Sequence, residues 1–90
     1  MNVKLISIKK TANPRLYNIE VLIEGLQQQF TITVESFTVA NREIQVTNGD
    51  DNFSEMFKFN QIIASDICQL VAKFHNHQPV ELPIENCRLG

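Results

Sequence analysis

Four side chains in the C-terminal third of the chain are of types that bind zinc: Cys68, His75, His77 and Cys87. Residues 60–76 predict a helix, in which Cys68 and His75 are separated by about 10.5 Å along the axis. Zinc ligand atoms lie about 2.0–2.3 Å from the metal, so these two residues cannot share one ion. His75, His77 and Cys87 remain metal-ligand candidates only if the helix frays after Phe74.

The spacing of these residues matches no recognised ligand pattern, which favours a simpler interpretation. Two histidines at a helix C-terminus place partly charged imidazoles where the helix dipole favours positive charge. Nucleophilic chemistry at Cys68 requires a base within hydrogen-bonding distance, and His75 is too far away along the helix. We therefore predict no metal, no catalytic residue and no enzymatic activity, with Cys68 packed beside the apolar side of the helix.

Two further motifs are too incomplete to indicate a cofactor. The acidic stretch NGDDN at residues 48–52 lacks the alternating ligands and terminal glutamate of a twelve-residue calcium loop, so we interpret it as a turn. The chain has only three glycines, and they form no phosphate-binding loop. The sequence predicts no bound cofactor.

The charge of the chain argues against nucleic acid as a partner. Eight basic and ten acidic residues give a net charge of −2, which provides no general attraction for a polyanion. Four basic residues surround the first predicted turn, namely Lys4, Lys9, Lys10 and Arg15. Nucleic-acid-binding sheets usually add exposed aromatic side chains, whereas Tyr17 and Phe30 are in phase with the predicted core. We interpret the basic group as a solvated edge.

Hydropathy and cysteine content lead to an expected cytoplasmic location without membrane association. No apolar run approaches the roughly 18 residues of a membrane span. The N-terminal stretch has too short an apolar section for a signal peptide. Two cysteines do not make a disulfide framework, which is consistent with a reducing compartment.

A single long helix, residues 60–76, organises the predicted fold. Its apolar residues recur at helical spacing and form one stripe, composed of Ile63, Ile67, Leu70, Val71 and Phe74. The preceding chain alternates with the period of a strand, so this helix is the element available to cover a sheet. Gln78-Pro79 ends it, and residues 77–90 form an extended tail or edge strand.

Residues 16–24 and 28–34 alternate between apolar and polar side chains and predict a β-hairpin that turns at Gly25. The first strand, residues 2–10, is apolar at both parities, which is typical of a strand that is covered on both faces or that pairs with another molecule. The parity of the apolar residues changes between Val34 and Phe37. We expect either a β-bulge near Glu35-Ser36 or a tight turn that begins a new strand.

Beyond a short strand at 43–47, Asn48-Gly49 predicts a turn. Two interpretations of the next segment remain open. Asn52 and Glu55 resemble a capping box that starts a helix at Phe53. Alternation of two phenylalanines around Lys58 instead favours a strand at 55–59, and we adopt this second interpretation.

Together these patterns predict one α+β domain over residues 1–90: mainly β at 1–59, helix at 60–76 and tail at 77–90. The antiparallel sheet has four to five strands, and the helix packs across one face. One helix leaves apolar residues uncovered, so we predict a small non-enzymatic protein-interaction module. Its partner is either another protein or a second copy of the chain in a homodimer. The expected interaction surface comprises Ile6, Ile8, Ile62, Val80, Leu82 and Ile84.

Two alternatives stay open at this point. In the first, the tail packs on the first strand within one molecule, and this packing removes much of the expected interaction surface. Alternatively, the protein binds a small ligand or metal between the helix C-terminus and the tail.

Overall fold

The computed structural model describes residues 1–85, in which one antiparallel sheet of five strands is covered by two helices. In chain order the elements are β1 (Val3–Lys10), β2 (Leu16–Ile23), β3 (Leu26–Val39), β4 (Arg42–Gly49), α1 (Asp51–Met56), α2 (Gln61–His75) and β5 (Ile84–Glu85). The strands are ordered β4-β3-β2-β1-β5 across the sheet. The predicted α+β class, antiparallel arrangement and strand number are confirmed.

Two tight hairpin turns connect β2 to β3 and β3 to β4. Both central residues of each turn have positive φ: 51° and 79° at Glu24-Gly25, and 52° and 64° at Ala40-Asn41. This conformation matches the twist of the flanking strands, which is why two-residue hairpins prefer it. The predicted hairpin through Gly25 is confirmed, because β2 and β3 pair in an unbroken antiparallel register.

The apolar stripe of α2 packs against the sheet, as its spacing predicts. Ile67, Leu70 and Val71 are buried, and Ile63 and Phe74 are partly buried against the core. Inward-facing residues of β1, β2 and β3 complete that core. In the described part of the chain, neither helix combines the length and apolar content required to cross a membrane.

Both alternatives predicted near Glu35-Ser36, a β-bulge and a tight turn that begins a new strand, are wrong. β3 continues through these residues, and its pairing with β4 is regular from Ile32 to Val39. Because side chains alternate along an unbroken strand, Phe37 must lie on the face opposite to Val34.

A bulge occurs instead in β1, where the register with β2 shifts between Leu5 and Ser7. The extra residue there is Ile6. Its insertion changes the parity, so that Val3, Leu5 and Ile8 are all buried in one core. The interpretation of β1 as a strand with two separate apolar faces is therefore wrong.

Helix α1 replaces the strand that was expected at 55–59. Its N-cap is Asp50, whose side chain accepts a hydrogen bond from the backbone N–H of Phe53. Phe53 and Phe57 are one helical turn apart, and both rings are buried against Phe30. The helical alternative for this segment was correct, although Asp50 rather than Asn52 is the cap.

The predicted turn at Asn48-Gly49 is also wrong, since both residues belong to the end of β4. Gly49 serves packing: a Cβ at this position would overlap the Phe53 ring. The tail forms a short edge strand, in which Ile84 pairs with Leu5 of β1. Cys87 lies outside the described residues.

Candidate functional site: the apolar face of a projecting ribbon

The β3–β4 hairpin extends beyond the rest of the sheet. β2 pairs with β3 only as far as Thr33, and the N–H of Val34 donates one more hydrogen bond, of 2.8 Å, to the carbonyl of Arg15. From Glu35 onward, β3 pairs with β4 alone. We call residues 35–46 the projecting ribbon. A two-stranded ribbon without a covered face is only marginally stable by itself, so apolar side chains exposed on it require an explanation.

Four apolar side chains are exposed on this ribbon and form what we call the ribbon face: Phe37, Val39, Ile44 and Val46. Their exposed fractions are 48%, 55%, 44% and 37%, respectively. Phe37 and Ile44 are direct cross-strand partners and so lie side by side.

The ribbon face points away from the helices. Gln45, which has the opposite parity to Ile44, exchanges two side-chain hydrogen bonds with Asn76 at the end of α2, of 3.0 and 2.8 Å. Side chains of that parity therefore lie on the helix side. The apolar residues of the ribbon lie on the outer side of the sheet, where no element within residues 1–85 packs on them.

This surface was not predicted, because a bulge near Glu35-Ser36 would direct Phe37 and Val39 towards the core. The signal was present in the parity change after Val34. If the strand continues without a bulge, the same parity change predicts that Phe37 and Val39 point away from the core.

The six residues expected to form the interaction surface do not form one surface. Ile8 is buried in the core, and Ile6 is half-buried at the bulge of β1. The tail residues Val80, Leu82 and Ile84 are partly buried against the core. Only Ile62 is exposed as expected, at 80%, on α2. The tail thus packs within the molecule, as the alternative interpretation held.

His75 and His77 line a cleft of about 310 Å³ between the end of α2 and the β1–β2 loop. The Tyr17 hydroxyl lies 2.7 Å from Nδ1 of His75, and its ring makes edge contacts with both Phe74 and His75. Lys10 also lines the cleft, and none of its lining residues is acidic. Among the described residues of the tail, His77 is the one that contributes to this lining.

Of the three candidate metal ligands, His75 and His77 lie within the described residues and Cys87 lies outside them. Within residues 1–85, no group of three His, Cys, Asp or Glu side chains could hold a metal ion. Cys68 is partly buried against the core, and burial raises the pKa of its thiol. A thiol with a raised pKa is mostly protonated at neutral pH and is a poor nucleophile, which supports the packing role.

Asp50 links Thr31 of β3 to the first turn of α1. Its Oδ2 accepts hydrogen bonds from the backbone N–H and the hydroxyl of Thr31, at 2.8 and 3.0 Å, and its Oδ1 accepts the 2.8 Å bond from Phe53. Desolvation raises the pKa of Asp50, but these hydrogen bonds favour the carboxylate and bring the pKa below its usual value. Asp50 therefore has a structural role: its carboxylate accepts hydrogen bonds from backbone N–H groups and a hydroxyl, and so connects β3 to α1.

Comparison with known proteins adds no family to this description. No family model matches the sequence, and no curated protein matches it significantly.

Proposed function

We propose that this chain is a small non-enzymatic protein-interaction module that binds its partner through the ribbon face. The observation that supports this function is the exposure of Phe37, Val39, Ile44 and Val46 on one side of the projecting ribbon. Contiguous exposed apolar side chains on a small domain are typical of protein-binding surfaces. An aromatic residue at the centre of such a group is a common energetic anchor of an interface.

The location of the ribbon face favours the same function. The ribbon extends past β2, so a partner can approach its outer side without contacting the helices. Its backbone is already paired in a hairpin with tight turn geometry, so little ordering is required on binding.

Affinity capture from the native cell extract, with identification of the retained proteins, tests this function. The ribbon variant Phe37→Thr/Ile44→Thr removes apolar area from the face while retaining β-branched residues suited to a strand. The matched control is Ile62→Thr, which makes the same chemical change at an exposed residue of α2. We expect a specific partner to be retained by the wild type and by the Ile62→Thr control, and lost by the ribbon variant. Loss in the control alone would assign binding to α2 and refute the ribbon face.

A second candidate function is the binding of a small organic anion in the cleft beside His75. The cleft combines an apolar wall, formed by Tyr17 and Phe74, with Lys10, His75 and His77 and no acidic side chain. This combination suits a carboxylate attached to an apolar group.

NMR titration with benzoate as the probe tests the cleft. We expect saturable chemical-shift changes for Phe74 and His75, and we expect the Lys10→Met substitution to weaken the affinity for benzoate. The absence of saturable shifts would remove this candidate without affecting the proposed protein-interaction function.

A further inference from the structure

We infer that a second copy of this chain pairs antiparallel with β4, the free edge strand of the ribbon, about a two-fold axis at Gln45. This inference goes beyond the proposed function, because the two copies join at the edge of the ribbon and the outer side of the ribbon face stays open to a partner. It also gives the two copies one continuous sheet of ten strands.

The two edges of the sheet differ in a way that points to β4. At one edge, the described part of β5 is two residues long and follows Pro83 directly, so within residues 1–85 it offers little backbone for pairing. At the other edge, β4 has eight residues without proline, lysine or a break in register. Proteins usually block a long edge strand with such features, because its free N–H and C=O groups pair readily with another strand. The edge formed by β4 carries no proline, lysine or bulge, and its two charged residues, Arg42 and Glu43, lie beside the turn at the tip of the ribbon.

The hydrogen-bonding pattern identifies which residues of β4 face this free edge. The N–H of Asp50, just after β4, donates to the carbonyl of Thr31 in β3. Antiparallel strands bond through alternate residues, so the even-numbered residues of β4 bond to β3. Glu43, Gln45 and Thr47 then direct their N–H and C=O groups outward.

A two-fold axis at Gln45 uses all three outward-facing residues. It pairs Gln45 with its own copy and Glu43 with Thr47 of the second copy, giving about six backbone hydrogen bonds between the chains. Two-fold symmetry requires a surface that is complementary to itself, and this register meets that requirement.

The same register joins the two ribbon faces into one. Ile44 lies opposite Val46 of the second copy, and Phe37 is the neighbour of Ile44 on the other side. One row of side chains across the sheet therefore consists of Phe37, Ile44 and Val46 of the second copy, and the two-fold axis generates an equivalent row beside it. Six exposed apolar side chains become contiguous on the outer side of the sheet.

Charge along the strand favours this register over its neighbour. With the axis at Gln45, Arg42 faces Asn48 of the second copy, and Glu43 faces Thr47, so no like charges meet. Moving the axis to Glu43 would place two glutamates opposite each other, which is destabilising in a cross-strand pair.

Sedimentation equilibrium of the purified full chain over a broad dilution series tests the dimer directly. Gln45→Pro removes an N–H that faces the edge, and proline is tolerated in an edge strand at such a position. Gln45→Ala is the matched control, because it loses the same side-chain bonds to Asn76 but keeps the N–H. We expect the wild type and Gln45→Ala to dimerise and Gln45→Pro to remain monomeric with a cooperative thermal melt.

Substitutions at Asn48 test the register of the dimer, and they remain informative about edge pairing even if Gln45→Pro fails to fold. Asn48→Glu places a carboxylate opposite Arg42 of the second copy, so we expect the dimer Kd to fall. Asn48→Arg places like charges there, so we expect the Kd to rise. Two such pairs form per dimer, and we expect changes of about 2- to 30-fold. General repulsion between acidic chains would give the opposite order, with Asn48→Glu weakening the dimer.

Several results would overturn this inference. A wild-type chain that remains monomeric at every concentration excludes the second copy as partner. A dimer unaffected by Gln45→Pro but lost on Phe37→Thr/Ile44→Thr would be a face-to-face dimer, which contradicts edge pairing yet agrees with the proposed function. A monomer that captures a different protein through the ribbon face would likewise refute the dimer and leave the proposed function in place.

Discussion

Removal of the Asp50 carboxylate should destabilise the whole domain, because this side chain joins β3 to α1. Asp50→Ala deletes three hydrogen-bond acceptor contacts, two with Thr31 and one with Phe53. Water replaces part of what is lost at this half-buried position, so we take about 1 kcal/mol for each contact. The expected loss is about 3 kcal/mol in the free energy of unfolding, or a decrease in Tm of about 12–24 °C.

Asp50→Asn is the more specific test, since it preserves the shape of the side chain and leaves one oxygen. That oxygen cannot serve both the Phe53 N–H and the two Thr31 donors, so we expect a loss of about 1–2 kcal/mol at neutral pH. Asp51→Asn is the control: it removes the same charge from an exposed neighbour in the first turn of α1. We expect a much smaller change in Tm for this control.

The stability difference between wild type and Asp50→Asn should depend on pH in a defined direction. The hydrogen bonds keep the pKa of Asp50 in the folded protein below the ordinary value of 3.8. Above about pH 5 the carboxylate is ionised in both the folded and the unfolded state, so its full stabilisation is present. As the pH falls through the folded-state pKa, this stabilisation is lost.

Thermal melts followed by circular dichroism from about pH 7 to about pH 2.5 measure the effect. We expect the gap in Tm between wild type and Asp50→Asn to narrow as the pH falls below about 4. A gap that stays constant over this range, or an Asp50→Ala variant as stable as Asp51→Asn, would refute the assigned role of the carboxylate.

Three further substitutions test the packing. Gly49→Ala introduces a Cβ into the space of the Phe53 ring and should cost about 1–3 kcal/mol; an unchanged melt would show that the ring moves freely. Tyr17→Phe removes the hydroxyl bonded to His75 and should lower the urea midpoint by the equivalent of about 0.5–1.5 kcal/mol without changing the m-value. Leu70→Asp places a carboxylate in the core and should unfold the domain; a cooperative melt near the wild-type midpoint would contradict the core position of this residue.

Elements with a clear local period were predicted correctly. The β2–β3 hairpin alternates with Leu22 as the exception and turns at Gly25, and the stripe of α2 repeats at helical spacing over about three turns. In both cases the residues that specify the element are close together in the chain. The boundaries of α2, Gln61–His75, differ from the predicted range by one residue at each end.

The two changes of parity were interpreted the wrong way round. In β1 the change reflects a bulge at Ile6, and in β3 it reflects a strand that continues with its apolar side chains outward. One strand alone cannot distinguish these cases, because both give the same alternation on either side of the change. The neighbouring elements decide between them: β1 contributes Val3, Leu5 and Ile8 to the core, whereas β3 beyond Val34 has only β4 beside it.

The segment after β4 shows the same limit. Alternation of Phe57 and Phe59 favoured a strand, but Phe59 is 86% exposed and Phe57 pairs with Phe53 across one helical turn. Asp50 starts the helix there and at the same time accepts the hydrogen bonds of Thr31, which is 19 residues away in the sequence. A cap held by a distant strand leaves no local pattern.

The sequence by itself determined the α+β class, the central hairpin and the covering helix, because each depends on periodic burial within one short segment. Only the tertiary structure decided which apolar residues remain exposed. Exposure depends on the length of neighbouring strands: β2 ends opposite Thr33, and the outer side of the ribbon beyond it therefore stays uncovered in residues 1–85. The candidate interaction surface follows from that difference in strand length, which no single stretch of sequence records.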